Sequence, residues 1–252
     1  MEKIKAVFSA GRGFRLAGMI CLVIVLGISA FPAASSSADI SELVEKANKG
    51  DAEAQTALAE RYQKGEGVPK NDAEAAKWYR KAAEQGVPDA QYTLGKMYSD
   101  GDGVPKNSAE AVNWYRKAGE QGVADAQLTL GKMYREGEGV PENSAEAAKW
   151  YRKAADQDVV EAQATLGLMY ANGQGVPRDY SEAVKWYRKA AEQGDAKAQH
   201  GLGVMYNNGF GVDRNGGEAV KWFQKAAKQG YYGKPPQGYN GETPQGYNGK
   251  SP

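Results

Sequence analysis

The sequence predicts an all-α fold, an α/α right-handed superhelical solenoid of five helix-turn-helix repeats. Three observations predict it. Tryptophan recurs at Trp78, Trp114, Trp150, Trp186 and Trp222, each step 36 residues without insertion or deletion. Glycine pairs spaced Gly-x-Gly begin at Gly65, Gly101, Gly137, Gly173 and Gly209 with the same period. Gly86, Gly122, Gly194 and Gly230 keep one further phase, with Asp158 in the missing step. A fixed period of this size marks one supersecondary unit copied in tandem, which buries its apolar face by stacking on its neighbours.

The chain is 252 residues long. At the N-terminus, residues 1–15 carry Lys3, Lys5, Arg12 and Arg15. Leu16 to Ile28 is apolar, and Ala30 to Ala38 is rich in Ala and Ser. Basic, apolar and small-residue regions in that order read as a secretory signal peptide over 1–38, with cleavage between 30 and 38. The apolar run is short of the roughly 20 residues that a spanning helix needs. The expected location is therefore periplasmic or secreted, with no membrane span after cleavage. An uncleaved N-terminal helix acting as a membrane anchor is the alternative. Cys21 is the only cysteine and would leave with the signal, so no disulfide or thiol chemistry remains. Removal of 1–38 leaves 28 basic against 30 acidic side chains, a balance that does not point to nucleic acid.

Residues 39–50, centred on Ile40 to Lys49, read as an N-terminal capping helix. Five copies follow at 51–86, 87–122, 123–158, 159–194 and 195–230. In the second copy Ala90, Leu94, Met97 and Tyr98 form one apolar stripe, and Ala111, Trp114, Tyr115 and Ala118 form another. Both stripes have the 3.6-residue period of an amphipathic helix. Each copy is thus helix A, a loop, and helix B, each helix about 20 Å long at 1.5 Å per residue. Asn71, Asn107, Asn143, Asp179 and Asn215 stand where helix B begins, with Glu74, Glu110, Glu146, Glu182 and Glu218 three residues on. That spacing predicts a capping box, in which the Glu reaches back to the cap amide. Pro69, Pro105, Pro141 and Pro177 keep the loop out of helix. The glycines after each Gln suit a left-handed helix end. Mid-helix Gly95, Gly131, Gly167 and Gly203, with Ala59 in the first copy, imply a close helix approach, expected opposite the Trp. The Trp residues themselves are expected in the core.

The pattern A-Q-x-x-L-G-x-M-Y-x-x-G-x-G-V-x-x-N-x-x-E-A-x-x-W-Y-x-K-A-A-x-Q-G resembles the Sel1-like repeat, a relative of the tetratricopeptide repeat. The first copy departs most, with Arg61 in place of Met. The resemblance implies the right-handed superhelix and a role in protein–protein interaction and envelope or signalling scaffolds; it does not imply a catalytic residue. In tetratricopeptide-like stacks helix A lines the concave side.

The chemistry classes that the sequence tempts are weak. The Gly-x-Gly loops lack the third glycine and the downstream Lys-Ser/Thr of nucleotide sites. Asp100 and Asp102 flank Gly101 without the closing Glu of a calcium loop. His200, the single histidine, cannot build a zinc site alone. No Ser-x-x-Lys occurs, which speaks against the serine β-lactamase activity proposed for Sel1-like relatives. The expectation is no catalytic, cofactor or metal site, and no nucleic-acid partner.

The informative positions are those where the copies differ. On helix A these fall at i, i+4 and i+7, starting from Thr56, Tyr92, Leu128, Ala164 and His200. Tyr92, Lys96, Leu128, Lys132, Leu168, His200 and Val204 are the expected partner-binding residues, with Leu128, Leu168 and Val204 exposed in a groove for a peptide or partner helix. The reading is an exported, non-enzymatic scaffold for a protein or peptide partner. Alternatives are a periplasmic regulator of an envelope signalling or secretion system and, less favoured, a cell-wall hydrolase.

Residues 231–252 abandon the repeat, with PQGYNG at Pro236–Gly241 and Pro244–Gly249, and read as a disordered Gly/Pro/Tyr-rich tail. Nothing after copy five supplies a next helix A. The expected cover is Tyr231 and Tyr232 folding back; a homodimer through the C-terminal repeat is the alternative.

Overall fold

The computed structural model describes the backbone of residues 33–233 and the side chains of 39–233. The expected signal segment before residue 33 and the tail from 234 lie outside the described residues. Among those described, the chain forms eleven helices and no strand. They are α1 (Ala33–Asn48), α2 (Ala52–Lys64), α3 (Asp72–Glu84), α4 (Pro88–Asp100), α5 (Ser108–Glu120), α6 (Ala124–Glu136), α7 (Ser144–Asp156), α8 (Val160–Asn172), α9 (Tyr180–Glu192), α10 (Ala196–Asn208) and α11 (Gly216–Lys228). Each helix packs on the one before and the one after, so the molecule is a repeat solenoid. The A helices are α2, α4, α6, α8 and α10; the B helices are α3, α5, α7, α9 and α11. Helix α1 reaches back to Ala33, earlier than the capping helix expected from Ile40.

Every helix B starts on the predicted Asn or Asp, whose side chain accepts from the amide of the Glu three residues on. The reciprocal half of the expected capping box is not made. The amides of Asn71, Asn107, Asn143, Asp179 and Asn215 instead donate to the carbonyls of Tyr62, Tyr98, Tyr134, Tyr170 and Tyr206, tying each loop to its own helix A. Where a lysine stands three residues further on, the freed Glu pairs with it, as in Glu74–Lys77 and Glu146–Lys149, both 2.5 Å. These pairs are exposed and add little stability.

The mid-helix glycines face tyrosine or phenylalanine, not tryptophan. A methyl at Gly95, Gly131, Gly167 or Gly203 would lie 2.8 Å from the ring of Tyr115, Tyr151, Tyr187 or Phe223. The helix B aromatic thus seats flat on helix A of its own copy, where a Cβ cannot be accommodated. The tryptophans sit on the other side of helix B. Trp114, Trp150 and Trp186 are buried, as expected, while Trp78 and Trp222 at the two ends are half-buried. A lysine one turn on lies over each ring, at 3.8 Å for Lys81 and 4.1 Å for Lys153.

A ladder of buried glutamines runs through the joints. Gln55, Gln91, Gln127, Gln163 and Gln199 donate to the carbonyls of Ala47, Ala83, Gly119, Ala155 and Ala191 in the preceding helix. Each accepts from the glutamine that ends its own copy, Gln85, Gln121, Gln157, Gln193 or Gln229. One amide therefore links three helices with both its polar ends satisfied, which burial demands. A second tie joins Arg80, Arg116, Arg152 and Arg188 to the hydroxyls of Tyr98, Tyr134, Tyr170 and Tyr206 in the next copy. At Asp158 the chain adopts φ 61, the only such non-glycine among the described residues. Its carboxylate accepts from Gln163, and Asp is among the few side chains that tolerate this conformation.

Candidate functional site

Consecutive A helices lie side by side along one face of the solenoid. The carboxylate of Glu161 on α8 takes an ion pair from Lys132 on α6 at 2.8 Å. The ring of Tyr187 lies between α8 and α10, because a methyl at either Gly167 or Gly201 would meet it at 2.8 Å. Helix B tyrosines therefore form the floor of this face, and their hydroxyls come up between A helices. Tyr79 donates to Gln63 at 3.2 Å. Tyr92 packs on Tyr115 with ring centres 5.6 Å apart. The guanidinium of Arg135 lies 5.7 Å from the ring centre of Tyr151. Burial pushes the hydroxyls of Tyr79 and Tyr151 up to about 12, so both stay neutral.

The predicted partner residues divide on this floor. Leu168 is 47% exposed, the most open large apolar side chain among the described residues. Lys96 is exposed, and Tyr92, Leu128 and Lys132 are half-buried with part of each side chain open. Val204 is a correction. It is only 4% exposed and packs with Ala219, Phe223 and Tyr206. Its phase lies at the seam between helices. The long side chains of Lys96, Lys132 and Leu168 extend past that seam, while a short β-branched one stays down in it. Ala164 in copy four is likewise buried.

His200 is half-buried rather than open. Its ring lies 5.2 Å from Phe223 and 5.7 Å from Tyr231, edge on. A methyl at Gly233 would sit 2.3 Å from the imidazole, so the chain after α11 turns back onto α10 here. Tyr231 thus supplies part of the expected cover, while Tyr232 stays 38% exposed. Burial holds the imidazole below its ordinary 6.5, hence neutral in the folded chain. The sign follows from linkage. The unfolded chain takes up the proton first, so this stability is complete above pH 6.5 and is lost as pH falls toward the folded value. Chemical melts at stepped pH should show the wild type losing more stability than His200→Gln across that window. Parallel losses in the two proteins would mean that His200 is open to water.

Sequence reasoning did not find the glutamine ladder or the Arg–Tyr ties. Their trace was present, since both residue types hold one phase in every joint. Among the described residues no group of three His, Cys, Asp or Glu side chains converges as metal ligands would, and no helix is long and apolar enough to cross a membrane.

The sequence profile described as Sel1 repeat matches residues 52–87, 88–123, 124–159, 160–195 and 196–231. A search of curated proteins finds no match. Among solved structures, the chain is 40% identical to a Sel1 repeat protein from Oxalobacter formigenes, with TM-score 0.70, covering 80% of this chain and 83% of that one. It is also 40% identical, with TM-score 0.70, to a protective antigen of uropathogenic Escherichia coli strains displaying the same repeat fold. That match covers 77% of this chain and 42% of the antigen, so the chain spans less than half of the antigen's length.

Proposed function

The chain belongs to the Sel1 repeat family, and on that premise we propose that it is an exported, non-enzymatic scaffold that holds a protein or peptide partner along its A-helix face. The observation that carries this reading is Leu168, 47% exposed at a phase where the copies differ. Large apolar side chains left open on one face of a soluble repeat array mark a contact surface. Leu128 and Tyr92 lie in the neighbouring A helices at the adjacent phase, and Lys96 supplies a basic edge beside the Lys132–Glu161 pair. A peptide or helix with an apolar stripe and acidic flanks fits this pattern. The basic, apolar and small-residue order at the N-terminus supports export to the periplasm or medium.

A photocrosslinking residue placed at Leu168 or Lys96, activated in intact cells, tests both parts. The expected result is one recurrent adduct from these two positions and none from Lys77 or Lys149 on the B helices. The scaffold in that adduct should begin between Phe31 and Asp39. Adducts only from the B helices, or a chain that keeps Met1, would contradict the reading.

A further inference from the structure

Four internal joints show what covers the outer face of a helix B. Ala76, Val112, Ala148 and Val184 share one phase and are 3%, 1%, 4% and 6% exposed beneath the next helix A. Val220 has the same phase on α11 and is 36% exposed. Ala83, Ala155 and Ala191 are at most 2% exposed, whereas Ala227 in their phase is half-buried. At each joint a glutamine of the next copy reaches the carbonyl at that phase. The carbonyl of Ala227 accepts from the backbone amides of Gln229 and Gly230, and among the described residues no glutamine side chain reaches it. The turn at Tyr231 and Gly233 goes to His200 and leaves Val220 open. Among the described residues the stack thus finishes on half of a joint, and the half that would complete it is a helix with an Ala-Gln-x-x-Leu stripe.

The other end holds that helix behind a stand-in. Ile40, Glu42, Leu43, Ala47 and Gly50 precede Ala76, Trp78, Tyr79, Ala83 and Gly86 by one period. Gln55 of α2 donates to Ala47 at 3.1 Å as Gln91 does to Ala83, Gly50 takes φ 96 as Gly86 takes 92, and Ile40 packs on Gly67. Helix α1 is thus a helix B without its aromatics. Where α11 offers Trp222 and Phe223, α1 has Glu42 and Leu43. One charge agrees as well: Lys228 ends α11 where the internal B helices carry Glu84, Glu120, Asp156 and Glu192, and α2 opens with Asp51 and Glu53.

We propose that copies of this chain associate head to tail, with α11 of one copy displacing α1 and completing the joint on α2 of the next. Gln55 then donates to Ala227 of the neighbouring copy, and Val220 takes the place of Ile40. Such an interface joins two different surfaces, so it does not close on itself as a twofold dimer does, and it yields an open series. It leaves the A-helix face free.

Sedimentation velocity of the purified protein over a wide range of concentration tests this. The expected result is a concentration-dependent series passing from monomer through dimer to larger species. Val220→Glu should reduce it to monomer, and because Val220 is already exposed this change should leave helical content and melt intact. Ile40→Glu, at the opposite end, should loosen α1 and shift the series to larger species at equal concentration. Val220→Glu chains added to the wild type should act as terminators and shorten the series. A monomer at every concentration, a single closed dimer, or a series that Val220→Glu neither abolishes nor shortens would overturn the proposal.

Discussion

Replacing Trp150 with alanine should lower stability by about 3–5 kcal/mol in urea melts, the range for removing a large aromatic from a packed core. Trp150 is 7% exposed on α7 yet belongs to the core of the preceding copies. Its ring edge lies 3.1 Å from the place a methyl would occupy on Gly119 of α5, and Lys153 covers its outer face at 4.1 Å. The indole therefore fills the joint between copies two and three from the far side. Alanine would leave a void bounded by two rigid helices of different copies, which cannot collapse without shifting the stack. A loss below about 1 kcal/mol would show that the indole contributes little more than a surface side chain does.

The second large effect is expected at the loops. Gly139→Ala should cost about 2–5 kcal/mol, of which about 1–2 comes from the left-handed backbone and about 1–3 from overpacking. Gly139 has φ 70, and a methyl there would lie 2.3 Å from the carbonyl oxygen of Ser108, the first residue of α5 in the copy before. The atom it meets is backbone, so no rotamer change relieves it. Gly137→Ala is the control. It has the same backbone sign, φ 72, but its methyl would meet only Glu142 at 3.4 Å and beyond. It should lose the conformational part alone, about 1–2 kcal/mol. Equal losses at the two glycines would mean that the loop does not press on the preceding copy.

These two positions also show how far the sequence could be read. The period marks both helices of every copy, every helix B cap and the tryptophans, because propensity, capping and patterning agree in each copy; α1 stands outside it and begins at Ala33, earlier than expected. It announced that Gly139 and Gln127 were constrained, but not by what. Constancy at a phase says that a neighbour is present and leaves that neighbour unnamed. The phase alone points the glycines at tryptophan, whereas the ring facing them is Tyr115, Tyr151, Tyr187 or Phe223, and it points Glu74 at its cap amide, which the carbonyl of Tyr62 already takes. On the A-helix face the stripe itself was legible at i, i+4 and i+7. Exposure along it was not, because Val204 and Leu168 share a phase at a seam where side-chain length decides which side of the surface an atom falls on. His200 was out of reach for another reason. Its cover, Tyr231 and Gly233, lies beyond the last copy, where no period predicts a path.

If the A-helix face holds the partner, affinity must depend on the side chains open there. Once the crosslinked partner is identified, its Kd for the purified scaffold should be compared with that for Leu128→Glu, Leu168→Glu. Leu168 is open on the face while Leu128 also packs against the core of the later copies, so binding is compared at a temperature where circular dichroism shows both proteins fully folded. The double variant should bind at least about 30-fold more weakly, the equivalent of about 2 kcal/mol lost from a contact centre. An unchanged Kd with an intact fold would contradict it and place the partner elsewhere on the solenoid.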